Sequence, residues 1–187
     1  MNKSLIASII FMTFFTLGYT QETIPIYKHC SEKKSKNCYN STNKKSIKKY
    51  KNKGPKFYAF ESQLGNTIPI FLYKKDKRSY LTAEKNSPGK GFEYRKISFY
   101  AFFNDSEGAI PIYEHRGKED RDYIYTVDSE SPKGFEFRRI AFYALKNQGT
   151  IDCNGTLNGS AYYDDCEKCV GGLTGFRADI DKDCAGV

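Results

Sequence analysis

The sequence predicts an all-β chain in which three copies of one unit precede a small disulfide-rich tail, and three observations carry that expectation. Ile24-Pro25-Ile26-Tyr27 recurs as Ile68-Pro69-Ile70-Phe71 and as Ile110-Pro111-Ile112-Tyr113, spaced by 44 and 42 residues. Phe57-Tyr58-Ala59-Phe60 recurs as Phe99-Tyr100-Ala101-Phe102 and as Phe142-Tyr143-Ala144-Leu145, spaced by 42 and 43. Two landmarks that keep one period mark an internal repeat. Aromatic residues make up 16% of the chain, and they alternate with charged ones, as in Phe135-Glu136-Phe137-Arg138. That alternation is the period of a half-buried strand.

Residues 1–20 stand outside this pattern. One lysine, an apolar run from Leu5 to Leu17 and Gly18-Tyr19-Thr20 predict a secretory signal peptide. The run is too short to span a bilayer, and no cysteine at the junction suggests a lipid anchor. The repeats then fill residues 21–149, as units of about 24–66, 67–109 and 110–149. Units two and three agree between the landmarks, Gly91-Phe92-Glu93-Tyr94-Arg95-Lys96-Ile97 matching Gly134-Phe135-Glu136-Phe137-Arg138-Arg139-Ile140. Tyr80-Leu81-Thr82 likewise aligns with Ile124-Tyr125-Thr126. Each unit carries four strand candidates. In the third they are Ile110 to Glu114, Tyr123 to Val127, Phe135 to Arg139 and Ala141 to Leu145. Pro25, Pro69 and Pro111 are expected at strand starts, where a missing N–H is harmless. Twelve strands closed on a threefold axis make a β-trefoil, and three propeller blades would be too few to close a ring.

The first unit diverges. It lacks the Gly-aromatic strand, and from 21 to 66 it holds eleven lysines against three glutamates. Residues 67–149 carry fifteen basic and twelve acidic residues, whereas 150–187 hold seven acidic and three basic ones. The net charge of +8 is therefore concentrated in unit one. Six cysteines in an exported chain predict disulfides. Cys30 and Cys38 are expected to staple the first hairpin, and Cys153, Cys166, Cys169 and Cys184 form a second group. Nearest-neighbour pairing, Cys153–Cys166 and Cys169–Cys184, is expected there. Cys166-Glu167-Lys168-Cys169 also has zinc-ligand spacing, which stays open as an alternative.

The pattern I-P-I-Y, then Y-[ILT]-T, then G-[FY]-x-[YF]-x-x-[IV]-[AS]-F-Y-A, from Ile24 to Lys146, resembles a secreted bacterial β-trefoil repeat family of unknown function. That family's units read P-V-Y-R-x-Y, then H-F-Y-T-T, then Y-x-x-x-G-x-A-F-Y. The resemblance implies the trefoil fold and a place beside secreted or carbohydrate-active domains. This chain departs from it where the family has a His before the second strand, since Ser79 and Tyr123 stand there. The tail, Asp152-Cys153-Asn154-Gly155 through Cys169-Val170-Gly171-Gly172-Leu173-Thr174-Gly175, resembles a short module found near the C-termini of secreted bacterial proteins. Asp179-Ile180-Asp181-Lys182-Asp183-Cys184 is similar to the acidic, disulfide-linked calcium repeats of thrombospondin type.

Calcium suits such a tail, because the ion takes six to eight oxygens and alternating Asp residues aim carboxylates into one loop. Asp152, Asn154, Asp164, Asp165, Asp179, Asp181 and Asp183 are the candidate ligands. No complete EF-hand loop is present, and a disulfide-stapled acidic tail without an ion is the other reading. His29, Tyr73 and His115 fall at equivalent positions of the three units and could line a pocket or be structural. Tyr80, Thr82, Tyr125 and Thr126, on the second strand, could stack on and bond to a sugar or pack the cap. Glu93 and Glu136 are expected to be solvated. Catalysis is not expected: no G-x-S-x-G elbow occurs, no cysteine is left free, and neither histidine has a sequence partner. The lysine run Lys44-Lys45-Ser46-Ile47-Lys48-Lys49 either attracts polyanions or simply solvates a loop. These features predict a secreted, monomeric, non-catalytic binding module for carbohydrate or a cell-surface polymer, with no nucleic-acid partner and no membrane span. A protein-binding module, as an inhibitor or adhesion accessory, and a structural envelope protein are the alternatives.

Overall fold

Each unit folds as a long strand, a short strand and a second long strand. The computed structural model describes residues 21–32, 38–46, 48–76, 78–106, 108–119, 122–178 and 184. The expected signal peptide lies outside them, as do Lys33, Lys34, Lys36, Asp179, Asp181 and Asp183. Unit one comprises β1 (Gln21–Ser31), β2 (Cys38–Ser41) and β3 (Tyr50–Phe60); unit two β4 (Thr67–Lys75), β5 (Arg78–Thr82) and β6 (Glu93–Phe102); unit three β7 (Ala109–Gly117), β8 (Tyr123–Thr126) and β9 (Phe135–Leu145). Regular structure in the described residues is all β, with antiparallel pairing throughout.

Three strands per unit replace the four expected. The predicted third and fourth strands run on as one, because β-bulges bend the ladder where a break was read. Register shifts fall between Ile26/Tyr27 and Tyr27/His29, between Ile70/Phe71 and Leu72/Tyr73, and between Ile112/Tyr113 and Glu114/His115. An extra residue at a bulge turns a strand without ending it. Unit one keeps the same plan despite its divergence, with Gly54 at φ +80 and its N–H donating to Asn52 Oδ1 at 2.7 Å. The prolines lie within strands, Pro25 fifth in β1 and Pro69 and Pro111 third in β4 and β7, opposite Tyr58, Tyr100 and Tyr143.

The units surround one apolar axis. Phe57, Phe99 and Phe142 meet edge to face, with ring centroids 6.2, 5.8 and 5.6 Å apart in the three pairings. Ile26, Ile70 and Ile112 stand opposite them in register, and Ala59, Ala101 and Ala144 complete the layer; all nine are buried. Single residue pairs, Phe60↔Tyr100, Phe102↔Tyr143 and Tyr58↔Leu145, bridge β3, β6 and β9 two by two. The sheet is not closed into a continuous barrel, because these bridges are one residue long.

The chain also meets itself head to tail. Thr67 closes the turn before unit two: its N–H and Oγ1 donate to Leu64 O at 3.0 and 2.9 Å, and Oγ1 accepts from Leu64 N at 2.8 Å. Thr23, at the equivalent position of unit one, makes the same three bonds to Gly149 at 3.0, 3.1 and 3.0 Å. The end of unit three thus precedes unit one in space as Leu64 precedes unit two in sequence. From there β10 (Thr150–Ile151) pairs with Gln21 and Glu22, and Ile151 covers the base formed by Phe60, Phe102 and Leu145. Leu157 packs so closely that a Cβ on Gly108 or Gly149 would lie 2.8 Å from one of its methyls.

The tail is two copies of one loop. Asp152 Oδ1 accepts from Asn154 N at 3.0 Å and Thr156 N at 2.8 Å; Asp164 Oδ1 accepts from Cys166 N and Lys168 N, both at 3.0 Å. Gly155 and Glu167 occupy matching left-handed positions, φ +81 and +57. The second loop joins β11 (Tyr162–Tyr163) to β12 (Cys169–Val170), with Tyr163 opposite Cys169. Cys30–Cys38 forms as expected, directly across β1 and β2. The tail pairing differs from the nearest-neighbour expectation: Cys153 bonds Cys169, and Cys166 bonds Cys184. Asp152 Oδ2 accepts from Ala161 N at 2.9 Å, which draws the first loop beside the β11–β12 hairpin. That places Cys153 at β12 and leaves Cys166, on the hairpin turn, to the chain that follows. All six cysteines are consumed, so the zinc alternative at Cys166 and Cys169 is closed.

Replacing one ring of the axial trio tests how far the units depend on it. Phe99→Ala should lower the unfolding free energy by about 3–5 kcal/mol and Phe99→Leu by less. Denaturant midpoints at unchanged m-value check this, and a loss near zero would remove the axis as the organising contact.

Candidate functional site

Most residues singled out from sequence turn inward. His29, Tyr73 and His115 occupy equivalent ladder positions, opposite Asn52, Tyr94 and Phe137, and all three are buried. Each ties its long strand to the loop beyond the short strand. His29 Nδ1 lies 2.7 Å from Ser46 Oγ and its Nε2 2.9 Å from Asn43 O. His115 Nδ1 lies 3.0 Å from Ser131 Oγ, and its Nε2 3.1 Å from Thr126 Oγ1 and 3.3 Å from Asp128 O. Tyr73 donates its hydroxyl to Lys85 O. Burial pushes the His115 imidazole below its ordinary value, favouring the neutral ring.

Tyr80, Thr82, Tyr125 and Thr126 are buried as well. Tyr125 OH accepts from Leu81 N at 2.9 Å and donates to Leu81 O at 2.8 Å, clasping unit two from unit three. Thr82 Oγ1 accepts from Glu84 N at 3.0 Å, and Thr126 Oγ1 donates to Asp128 O at 2.7 Å. The polar atoms of these four residues are engaged within the caps.

Sequence reading missed the ion cluster beside them. Glu114 is 3% exposed, and Arg139 reaches it through Nε at 3.4 Å, Glu84 through Nη1 at 2.9 Å and Tyr80 through Nη2 at 2.9 Å. The missed signal is a charged residue at an inward position: Glu114 holds the ladder place of Leu72 in unit two. Burial, then the charge of Glu114, pushes the Tyr80 hydroxyl up to about 12. Burial weighs against the Arg139 guanidinium, but its bond to Glu84 and the pull of Glu114 hold it charged. Glu93 and Glu136 are exposed as expected, beside Arg95 at 2.9 Å and Arg138 at 3.8 Å.

Of the calcium candidates, Asp152 is buried with three backbone N–H groups on its carboxylate, and Asp164 Oδ1 holds two. Asn154 and Asp165 are exposed. Among the described residues no three or more His, Cys, Asp and Glu side chains gather in metal-binding range. Asp152 and Asp164 serve as fold-forming acceptors in their loops.

The surface offers a groove between units one and two instead. It encloses about 690 Å³, with Tyr39 and Tyr50 on one wall and Lys45, Lys48, Lys49 and Lys74 around it. The tyrosines are set from below. The ring of His29, itself held by Ser46 and Asn43, stacks on Tyr39 at 4.9 Å and 13° between planes, and Tyr50 meets Tyr39 edge-on at 5.2 Å. Burial, with Asp122 and Tyr39 adding to it, pushes the Tyr50 hydroxyl up, so it stays neutral. Ser41, Asn43 and Ser79 add hydroxyl and amide groups. The lysines come from the β2–β3 connection, where Lys49 takes φ +76, and from β4. A larger cavity of about 1180 Å³ lies between the start of β1, the Glu61 to Asn66 loop and the tail, but its Asp152 is already committed to the backbone. Comparison with protein-family models, curated proteins and solved structures found no match for this chain. No helix among the described residues is long and apolar enough to cross a membrane.

Glu114 sets an acid-range dependence of stability. Burial, outweighing Arg139, holds its carboxyl above the ordinary 4.5, so the folded chain keeps that proton to higher pH than the unfolded chain does. Stability should therefore fall as pH rises from 4.5 through the raised value, and then stay level with respect to this group. Glu114→Gln should remove that fall in unfolding free energies measured across the window. Equal slopes for both proteins would assign the dependence elsewhere.

Proposed function

We propose that the three units form a β-trefoil and that the protein is a secreted, non-catalytic module binding carbohydrate or a cell-surface polymer in the groove between units one and two. One observation carries the reading: a pair of tyrosines, fixed by a buried histidine, walls an open groove supplied with hydroxyl and amide groups. Aromatic faces pack on the C–H faces of sugar rings, and neutral polar groups take their hydroxyls. The repeated registers and the matching Thr23 and Thr67 closures support the trefoil. Three disulfides in a small chain suit an oxidising, extracellular setting. Exposed Tyr162, Leu173 and Phe176 on the tail favour a protein partner as the second reading.

Glycan-array binding by the oxidised protein tests the first. Tyr50→Ala should weaken the bound glycan roughly tenfold, as loss of one packed ring does, while Tyr162→Ala leaves it unchanged. The reverse pattern would move the site to the tail. For the tail, calcium is part of the proposal through Asp164, Asp165 and the run Asp179, Asp181 and Asp183. Millimolar Ca²⁺ should then raise the tail's melting temperature over that in EDTA, and an unchanged melt would leave the Asp-centred loops and disulfides as its only source of order.

A further inference from the structure

We infer that this groove selects anionic polysaccharide, with sulfate or carboxylate groups along the chain, over neutral glycans. The inference rests on the carbohydrate reading above and specifies its ligand class. Four ammonium groups, from Lys45, Lys48, Lys49 and Lys74, surround the groove, and its one lining carboxylate among the described residues, Asp76, lies 3.8 Å from Arg78. Among the described residues none of the four lysines pairs with a carboxylate, whereas neighbouring Lys51 lies 3.6 Å from Glu32.

The backbones of Lys45, Lys49 and Lys74 are held, while all four side chains project into solvent. Asn43 Oδ1 accepts from Lys45 N at 2.9 Å, Lys49 O accepts from Glu32 N at 3.1 Å, and Lys74 sits in the ladder between Ser79 and Glu93. All four are exposed, so their charges cost little to keep and act on a ligand that stays partly hydrated. Lysine ammoniums are point charges on flexible stems, suited to anions spaced along a polymer and not to one forked contact. Unit one's balance of eleven lysines against three glutamates adds a net positive charge that favours a polyanion. The tyrosine wall distinguishes a sugar chain from other polyanions, because ring stacking adds to charge attraction there.

The test compares a sulfated or carboxylated polysaccharide with neutral dextran, by titration at about 50 and about 200 mM salt. The anionic chain should bind, and its affinity should fall roughly tenfold or more across that range. Lys45→Gln/Lys48→Gln/Lys49→Gln should weaken binding at low salt and flatten the salt dependence, with a melt confirming the fold. Lys133→Gln/Lys146→Gln, which removes charge away from the groove, should change little. Binding to dextran that ignores salt and the lysines would overturn the inference and leave the carbohydrate reading standing. Absence of binding to any glycan would overturn both. Equal loss from the distant pair, or equal competition by duplex DNA, would show a diffuse charge effect and overturn the groove's selectivity.

Discussion

Three phenylalanine rings meeting edge to face on one axis are the contact on which this structure depends. Phe57, Phe99 and Phe142 each touch the other two, so no unit can bury its own ring without both neighbours. A single unit is a bent three-stranded piece of about 40 residues whose apolar face would stay in water, and a chain that short rarely buries enough apolar surface to fold alone. The axis leaves little space, which is why alanine holds the three adjacent positions and isoleucine the three opposite ones. It also explains why the landmarks stay 42 to 44 residues apart, because each unit's strands and bulges must return the same face inward.

Closing that arrangement from below requires a part the units do not contain. Phe60, Phe102 and Leu145 form an apolar base, and Ile151 covers it from the tail while β10 pairs with the first residues of β1. The tail therefore serves the repeats, and its own order comes from carboxylates that gather backbone N–H groups. Asp152 and Asp164 do in their loops what a metal ion does in other small modules: they satisfy a turn that has no apolar core. Disulfides then lock the two loops in an interleaved order.

These relations explain which features the sequence showed. The repeats were legible because the axis demands the same side chains three times, and a period survives in any linear reading. The first disulfide was legible because Cys30 and Cys38 fall across one hairpin. Strand number was not, since a bulge leaves no mark where Arg139-Ile140-Ala141 simply runs on. The tail pairing was not, since it depends on Asp152 reaching Ala161, a contact across nine residues. The acidic tail was legible as a run of carboxylates, but composition does not say that Asp152 and Asp164 already accept backbone N–H groups. Nor could alternation separate a solvated Glu93 from a buried Glu114, whose partner Arg139 lies 25 residues on.

Symmetry gives the remaining argument about where a ligand can act. Positions equivalent in all three units, such as His29, Tyr73 and His115, are used to build the caps, so their repetition reports packing. Surface chemistry appears where equivalence fails. Ladder places held by Tyr94 and Phe137 in units two and three carry Asn52 in unit one, and the strand there bends through Gly54. Asn40 replaces the apolar and aromatic side chains of Leu81 and Tyr125, leaving its buried Nδ2 without a hydrogen-bond acceptor among the described residues. Unit one is held by a disulfide instead of by that cap packing, and the constraint frees its connection to carry lysines. A repeat released from the shared cap chemistry, yet fixed to the same axis, is the unit best placed to acquire a binding surface of its own.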